Sequence, residues 1–220
     1  MPLQATEEEA QRKRLKGQPN AEVYSLQAEC LAELERLSER GHLDLFYGDE
    51  SGVSLEPCVP YAWQFADEQV FTPAAKGGGL NCFALIARDN RCVTQTTPGA
   101  ITGAFVAEQL DRLSLGLSKP TVVVLDNAPI HHGKHGKAVR QRRDAWQARG
   151  LFVFYLPTYS PHLNIAEILW RKLKYEWLGA EDYADDSTLH YQVWLALKAV
   201  GRSLTINFSP FRQGGGLNHT

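Results

Sequence analysis

The stretch TVVVLDNAPIHH, residues 121–132, decides how the chain is read. A β-branched apolar run from Thr121 to Leu125 gives way at Asp126 to an acid, an amide and two histidines. Such a run fits a strand buried on both faces, the kind that parallel sheets contain. A polar tip on a buried strand belongs at the carboxyl end of the sheet, where open α/β sheets meet their ligands. Taken alone, Asp126 and Asn127 also suit an ordinary turn or helix cap.

Two further apolar runs flank this one. DLFYGDE (44–50) is apolar at its centre and ends in Asp49 and Glu50 before a Ser-Gly pair that reads as a turn, and LFVFYLP (151–157) is apolar throughout. Helical patterns over 100–117 and 137–148, the second closed by Gly150, separate the three runs. Strands 44–49, 121–126 and 151–156 should therefore be parallel neighbours joined by right-handed crossovers. NCFALIAR and RCVTQTT flank Asp89-Asn90, a turn dipeptide, and predict an antiparallel hairpin beside the first strand. The expected fold is α/β, a ribonuclease H-like mixed sheet of an antiparallel hairpin plus parallel strands, flanked by helices.

Around that core (44–178) the reading places two smaller parts. Residues 1–43 form a polar arm and a linker helix, whose Val23, Leu26, Cys30, Leu34 and Leu37 recur at three- and four-residue steps. Ordinary core packing is the alternative role for that helix. Residues 179–220 hold a short helix capped by Ser187 and a tail. Composition excludes some classes of function. Cysteines at 30, 58, 82 and 92 make no Cys-x-x-Cys pair, which argues against a zinc ribbon or redox dithiol. No run approaches the ~18 apolar residues of a membrane span, and MPLQATEEEAQRKRLK lacks a signal-peptide core, so a cytoplasmic protein is expected. The net charge of −2 and pI near 6.4 announce no global affinity for nucleic acid, so any such surface is local.

The chemistry follows from the strand ends. If strands 44–49 and 121–126 are adjacent, Asp49 and Asp126 converge, and like charges at close range persist by protonation or by holding a cation. Hard oxygen ligands favour Mg²⁺ or Mn²⁺. A pair of ions needs a third carboxylate. Glu167 is the candidate, because on a helix capped by Asn164 it lies opposite Ile165, Leu169 and Leu173 and beside Arg171 and Lys174. Each acid has a plain alternative: a loop position for Asp49 and Glu50, a turn for Asp126, an i,i+4 pair with Arg171 for Glu167.

In that order, GDESG, LDNAPIHH and LPTYSPHLNIAEILW resemble the three signature blocks of bacterial insertion-sequence transposases related to the mariner superfamily. The resemblance spans about residues 43 to 178. It implies a ribonuclease H-like core in which Asp49, Asp126 and Glu167 are catalytic and bind Mg²⁺, with two ions expected. It also implies hydrolysis at transposon ends and transfer of the freed 3′-hydroxyls into target DNA, typically at TA. Two departures stand out. The family's Asn-Pro-Ile-Glu is here Asn164-Ile165-Ala166-Glu167, which removes only a helix-start proline. The second is an interval of 40 residues between Asp126 and Glu167, longer than the family's usual one.

Between Gly133 and Arg149, Lys134, Lys137, Arg140, Arg142, Arg143 and Arg149 face one acid, Asp144. With Arg171, Lys172 and Lys174 they predict contacts to transposon-end and target DNA, a solvated helix face being the alternative. Glu50, Asn127, His131, His132 and Asn164 are candidates for supporting the acids. A zinc site of His131, His132 and His135 is disfavoured, since no cysteine lies near them. Transposases of the resembled kind read their ends with helix-turn-helix modules before the core, and 43 residues precede Asp44. The expectation is self-association, or a recognition module supplied by a partner chain or a frame-fused segment. Competing functions are a catalytically idle fragment that binds DNA or a transposase, and a ribonuclease H-like nuclease without strand transfer.

Overall fold

In the computed structural model, residues 21–56, 78–128, 130–131 and 136–209 are described. Five strands form one sheet: β1 (Asp44–Val53), β2 (Leu80–Ile86), β3 (Cys92–Thr97), β4 (Thr121–Leu125) and β5 (Leu151–Tyr155). Their order is β3-β2-β1-β4-β5. β1 pairs antiparallel with β2 and parallel with β4, while β4 pairs parallel with β5. The hairpin therefore extends the sheet beside the first strand, as the turn at Asp89-Asn90 requires; Asn90 takes a φ of 66° there.

Side-chain alternation along the strands sorts the core into two layers. Leu45, Tyr47, Val122 and Val124 face one layer, with Leu31 of α1 (Ala21–Glu39), Leu169 of α4 (Ala166–Lys172) and Leu189, Val193 and Leu197 of α5 (Asp186–Ala199). Phe46, Val123 and Leu125 face the other, under α2 (Gly103–Ser114) and α3 (Lys137–Ala148), where Trp146 is fully buried. The helices before and after 44–178 thus bury residues in the same core as the strands. α1 is tied in by a buried polar group as well. Glu35, 3% exposed, accepts from Tyr47 Oη and from Arg88 Nε at 2.7 Å, so its charge is paired where isolation would be costly.

Three local expectations need correction. β1 does not turn at Ser51-Gly52; it runs on to Val53 because β2 supplies partners, Cys82 opposite Ser51 and Asn81 opposite Gly52, after β4 has ended. The helix after Asn164 is α-helical only to Lys172 and continues as a π-turn, Leu173–Trp177, in which Leu178 N–H donates to the Leu173 carbonyl at 3.2 Å. Leu173 and Leu178, at the two ends of that step, are both buried in the same core layer. The last helix begins one residue before Ser187, and its cap is Asp185, whose carboxylate accepts from Thr188 N–H at 2.9 Å and its hydroxyl at 2.7 Å. The predicted arm (1–20), the stretch 57–77 with Cys58, and the tail from 210 lie outside the described residues.

Candidate active site

The parallel register of β1 and β4 brings the first two acids together. Tyr47 is the last β1 residue opposite a β4 residue, Val124; two residues further along each chain stand Asp49 and Asp126. Both share the parity of Tyr47 and Val124, so both face the layer that holds α4. Glu50 has the opposite parity and turns to the other layer. A slip of one residue would exchange Asp49 and Glu50, and the burial of Phe46 and Tyr47 on opposite faces prevents it. Gly48, between them, is close-packed: an added Cβ would stand 2.5 Å from Leu125 Cδ2 and 2.9 Å from Leu85 Cδ2.

The third acid arrives on α4. Glu167 is exposed, and with Asp49 and Asp126 it lines one recess of about 450 Å³ that also contains Asn127, Asn164 and the turn 156–161. Asn164, 4% exposed, joins the two elements: Nδ2 donates to the Gly48 carbonyl at 3.1 Å, and Oδ1 accepts from Ala166 N–H at 3.1 Å. One side chain thus opens the helix carrying Glu167 and fastens it beside the strand carrying Asp49. Trp170 makes a second tie, its indole N–H donating to Asp49 Oδ2 at 3.0 Å. Sequence reasoning missed Trp170 as a site residue. The signal was its chemistry, since a buried indole N–H ordinarily finds an acceptor.

The electrostatics are unbalanced. Burial, then the negative charges of Glu167, Glu50 and Asp126, push the Asp49 carboxyl up to about 7. His131 is fully buried behind the acids, with Nε2 3.2 Å from Asp126 Oδ1 and 3.3 Å from Glu50 Oε1. These are ion-pair distances without hydrogen-bond alignment. Burial alone would depress the His131 pKa, but the two carboxylates outweigh it and raise the value to about 9. The Tyr155 hydroxyl donates to the His131 carbonyl at 3.0 Å and fixes that end of the loop.

A divalent cation fits this donor set. Three hard-oxygen groups face one recess, and the proton held by Asp49 near pH 7 marks charge that a cation would neutralise. Among the described residues, no three His, Cys, Asp or Glu side chains are yet gathered as a finished cage. Exposed Glu167, with its rotatable side chain, is the group free to close in on an ion.

The basic residues divide. Lys137, Arg140, Arg143 and Arg149 are exposed on or just after α3, and Arg143 and Arg140 act electrostatically on the Tyr155 hydroxyl, which places this stretch beside the same sheet edge. Arg142 turns instead to α2, with Nη1 2.8 Å from Asp111 Oδ2, so an incoming phosphate would compete with that acid. Arg171 is exposed near Glu167, and Lys174 is half-buried with its charge felt at Cys82. His132, Lys134 and His135 lie outside the described residues.

Residues 44–190 match the family described as DDE superfamily endonuclease. The chain belongs to that family. A Shigella sonnei relative, "Insertion element IS630 uncharacterized 39 kDa protein", is 26% identical to this DDE endonuclease over 206 residues. The match covers 90% of the chain and 52% of that protein, so the chain spans about half the length of this relative. Among solved structures, the Mos1 mariner paired-end complex with Mn is similar at a TM-score of 0.50 and 17% identity, over 85% of this chain and 62% of that one. The Mos1 transposase paired-end complex with left transposon end gives 0.50 and 16%, over 83% and 61%. At such identity the likeness concerns the fold, the ribonuclease H-like arrangement already traced strand by strand.

Proposed function

We propose that this DDE endonuclease is the catalytic domain of a transposase, which cuts DNA at transposon ends and transfers the 3′-hydroxyls to target DNA, with TA as the preferred site. The observation that carries the reading is the meeting of Asp49, Asp126 and Glu167 at one recess, with two acids in register on adjacent strands and the third on a helix tied to the first strand. Asp49, Asp126 and Glu167 would hold Mg²⁺ or Mn²⁺, two ions in all, which would activate a water or 3′-hydroxyl and stabilise the leaving oxygen. Asn164 and Trp170 hold the acids in place, and His131 lies within ion-pair distance of both Asp126 and Glu50. Lys137, Arg140, Arg143, Arg171 and Lys174 would bind DNA phosphates, as would Lys134. Recognition of the ends would fall to a helix-turn-helix module on a partner or a fused segment, and synapsis of two ends to self-association.

The test is cleavage of end-sequence duplexes by the purified chain with Mg²⁺ or Mn²⁺, alone and fused to a recognition module. Asp126→Asn should abolish cutting and leave the circular dichroism spectrum unchanged. Cutting without joined product would indicate a nuclease. Salt-sensitive binding without cutting would indicate an idle DNA-binding fragment, and retained cutting by Asp126→Asn would remove Asp126 from the site.

A further inference from the structure

The recess has two unlike walls. One carries the carboxylates; the other is the turn between β5 and α4, where Leu156, Pro157, Tyr159 and Pro161 line the same space. Tyr159 is out of keeping with a simple turn on three counts. Its φ is 59°, in the left-handed region that bulky residues rarely enter. The residue is 70% exposed, so burial of the ring does not offset the strain. Its hydroxyl has no hydrogen-bond partner among the described residues. Glycine would make this turn without strain, yet a large flat ring stands there, at the rim of a site.

We propose that Tyr159 is a base-stacking residue, its ring packing on the nucleobase next to the phosphate that the three carboxylates address. This rests on the transposase reading above and names a contact it did not contain. A phosphodiester drawn to the acidic wall directs its sugar and base away from those charges, toward the apolar wall. A recess of about 450 Å³ lies within the ~300–1,000 Å³ of small-ligand sites, enough to admit one nucleotide. Every base offers a π-face, so stacking on Tyr159 would steady the strand whatever its sequence. Pro157 and Pro161 bracket the turn and restrict the backbone that presents the ring.

The experiment uses the full chain and a short end-sequence duplex, with 2-aminopurine next to the scissile phosphate and Ca²⁺ in place of Mg²⁺. Stacking quenches the probe. Wild type and Tyr159→Phe should quench it equally, since the ring suffices. Tyr159→Ala, which keeps the left-handed backbone, should restore emission and weaken binding about ten-fold, equivalent to about 1.4 kcal/mol. Tyr159→Gly should raise Tm by about 2–4 °C through relief of the backbone, yet lose quenching as Ala does. Equal quenching and affinity in wild type, Tyr159→Ala and Tyr159→Gly would overturn the proposal and leave the transposase reading intact. A wild type that binds the duplex without quenching the probe would overturn the proposal as well, whereas failure to cut it with Mg²⁺, both alone and fused to a recognition module, would overturn the transposase reading.

Discussion

Replacing Asn164 tests whether the site is held together as described. Asn164→Ala removes two bonds, one to the buried Gly48 carbonyl and one from the buried Ala166 N–H. Leaving two such groups unpaired costs about 2–6 kcal/mol in all, at ~1–3 kcal/mol each. For a domain of this size, ~2–4 °C per kcal/mol, the melting temperature should fall by roughly 5–25 °C. The rate should fall further than stability implies, because freeing α4 lets Glu167 drift from Asp49 and Asp126, and a misplacement of ~1 Å costs about 10²-fold. Asn164→Asp separates the two bonds. It keeps the acceptor for Ala166 N–H, and Asp is as good a helix-start residue as Asn. It also sets a buried carboxylate against the Gly48 carbonyl and near three other acids. The tether therefore predicts that Asp is no better than Ala, whereas a capping role alone predicts Asp equal to wild type. Thermal melts and metal-dependent cleavage at matched folded fraction decide it. An Asn164→Asp protein as stable and active as wild type would refute the tether.

Three other outcomes follow from the same geometry. Trp170→Phe keeps the ring but removes the donor to Asp49 Oδ2, so half-saturation by Mg²⁺, read by thermal shift, should rise several-fold; an unchanged titration would leave the indole a packing group only. Because the Asp49 pKa lies near 7 in the folded chain and near 3.9 unfolded, the folded state binds the extra proton between those values, and metal-free stability from this group is lost as pH rises through 7. Asp49→Asn should accordingly raise the metal-free melting temperature at pH 8 and do little at pH 5, while ending Mg²⁺-dependent stabilisation; equal effects at both pH values would contradict the charge clustering. Finally, Lys137→Ala with Arg143→Ala should reduce the slope of log K against log salt for duplex DNA by about 2, near 0.9 per phosphate contact, and an unchanged slope would return that face of α3 to solvent.

Much of the architecture was legible because local signals and the global fold agree. The β-branched run before Asp126, the turn at Asp89-Asn90 and the helical pattern over 137–148 each specify an element, and crossover handedness leaves few ways to join them. The corrected places are those where a neighbour overrode local chemistry. Ser51-Gly52 is turn-like in isolation, yet β2 holds it in the ladder; the helix after Asn164 widens into a π-turn because Leu173 and Leu178 both reach the core.

By itself, then, the sequence determined the order and kind of the elements and named the three acids, through patterns that act over a few residues and through its likeness to known blocks. Tertiary structure alone decided how those acids are held. The bond from Trp170 to Asp49 spans 121 residues of chain and that from Asn164 to Gly48 spans 116, distances over which no periodicity carries information. Likewise His131, conspicuous in the opening stretch as one of two histidines, is buried within ion-pair distance of both Glu50 and Asp126, a meeting that the pairing of β1 with β4 makes possible. Residue types set what each group can do, and the meeting of strand, helix and loop at one sheet edge set which of them do it together.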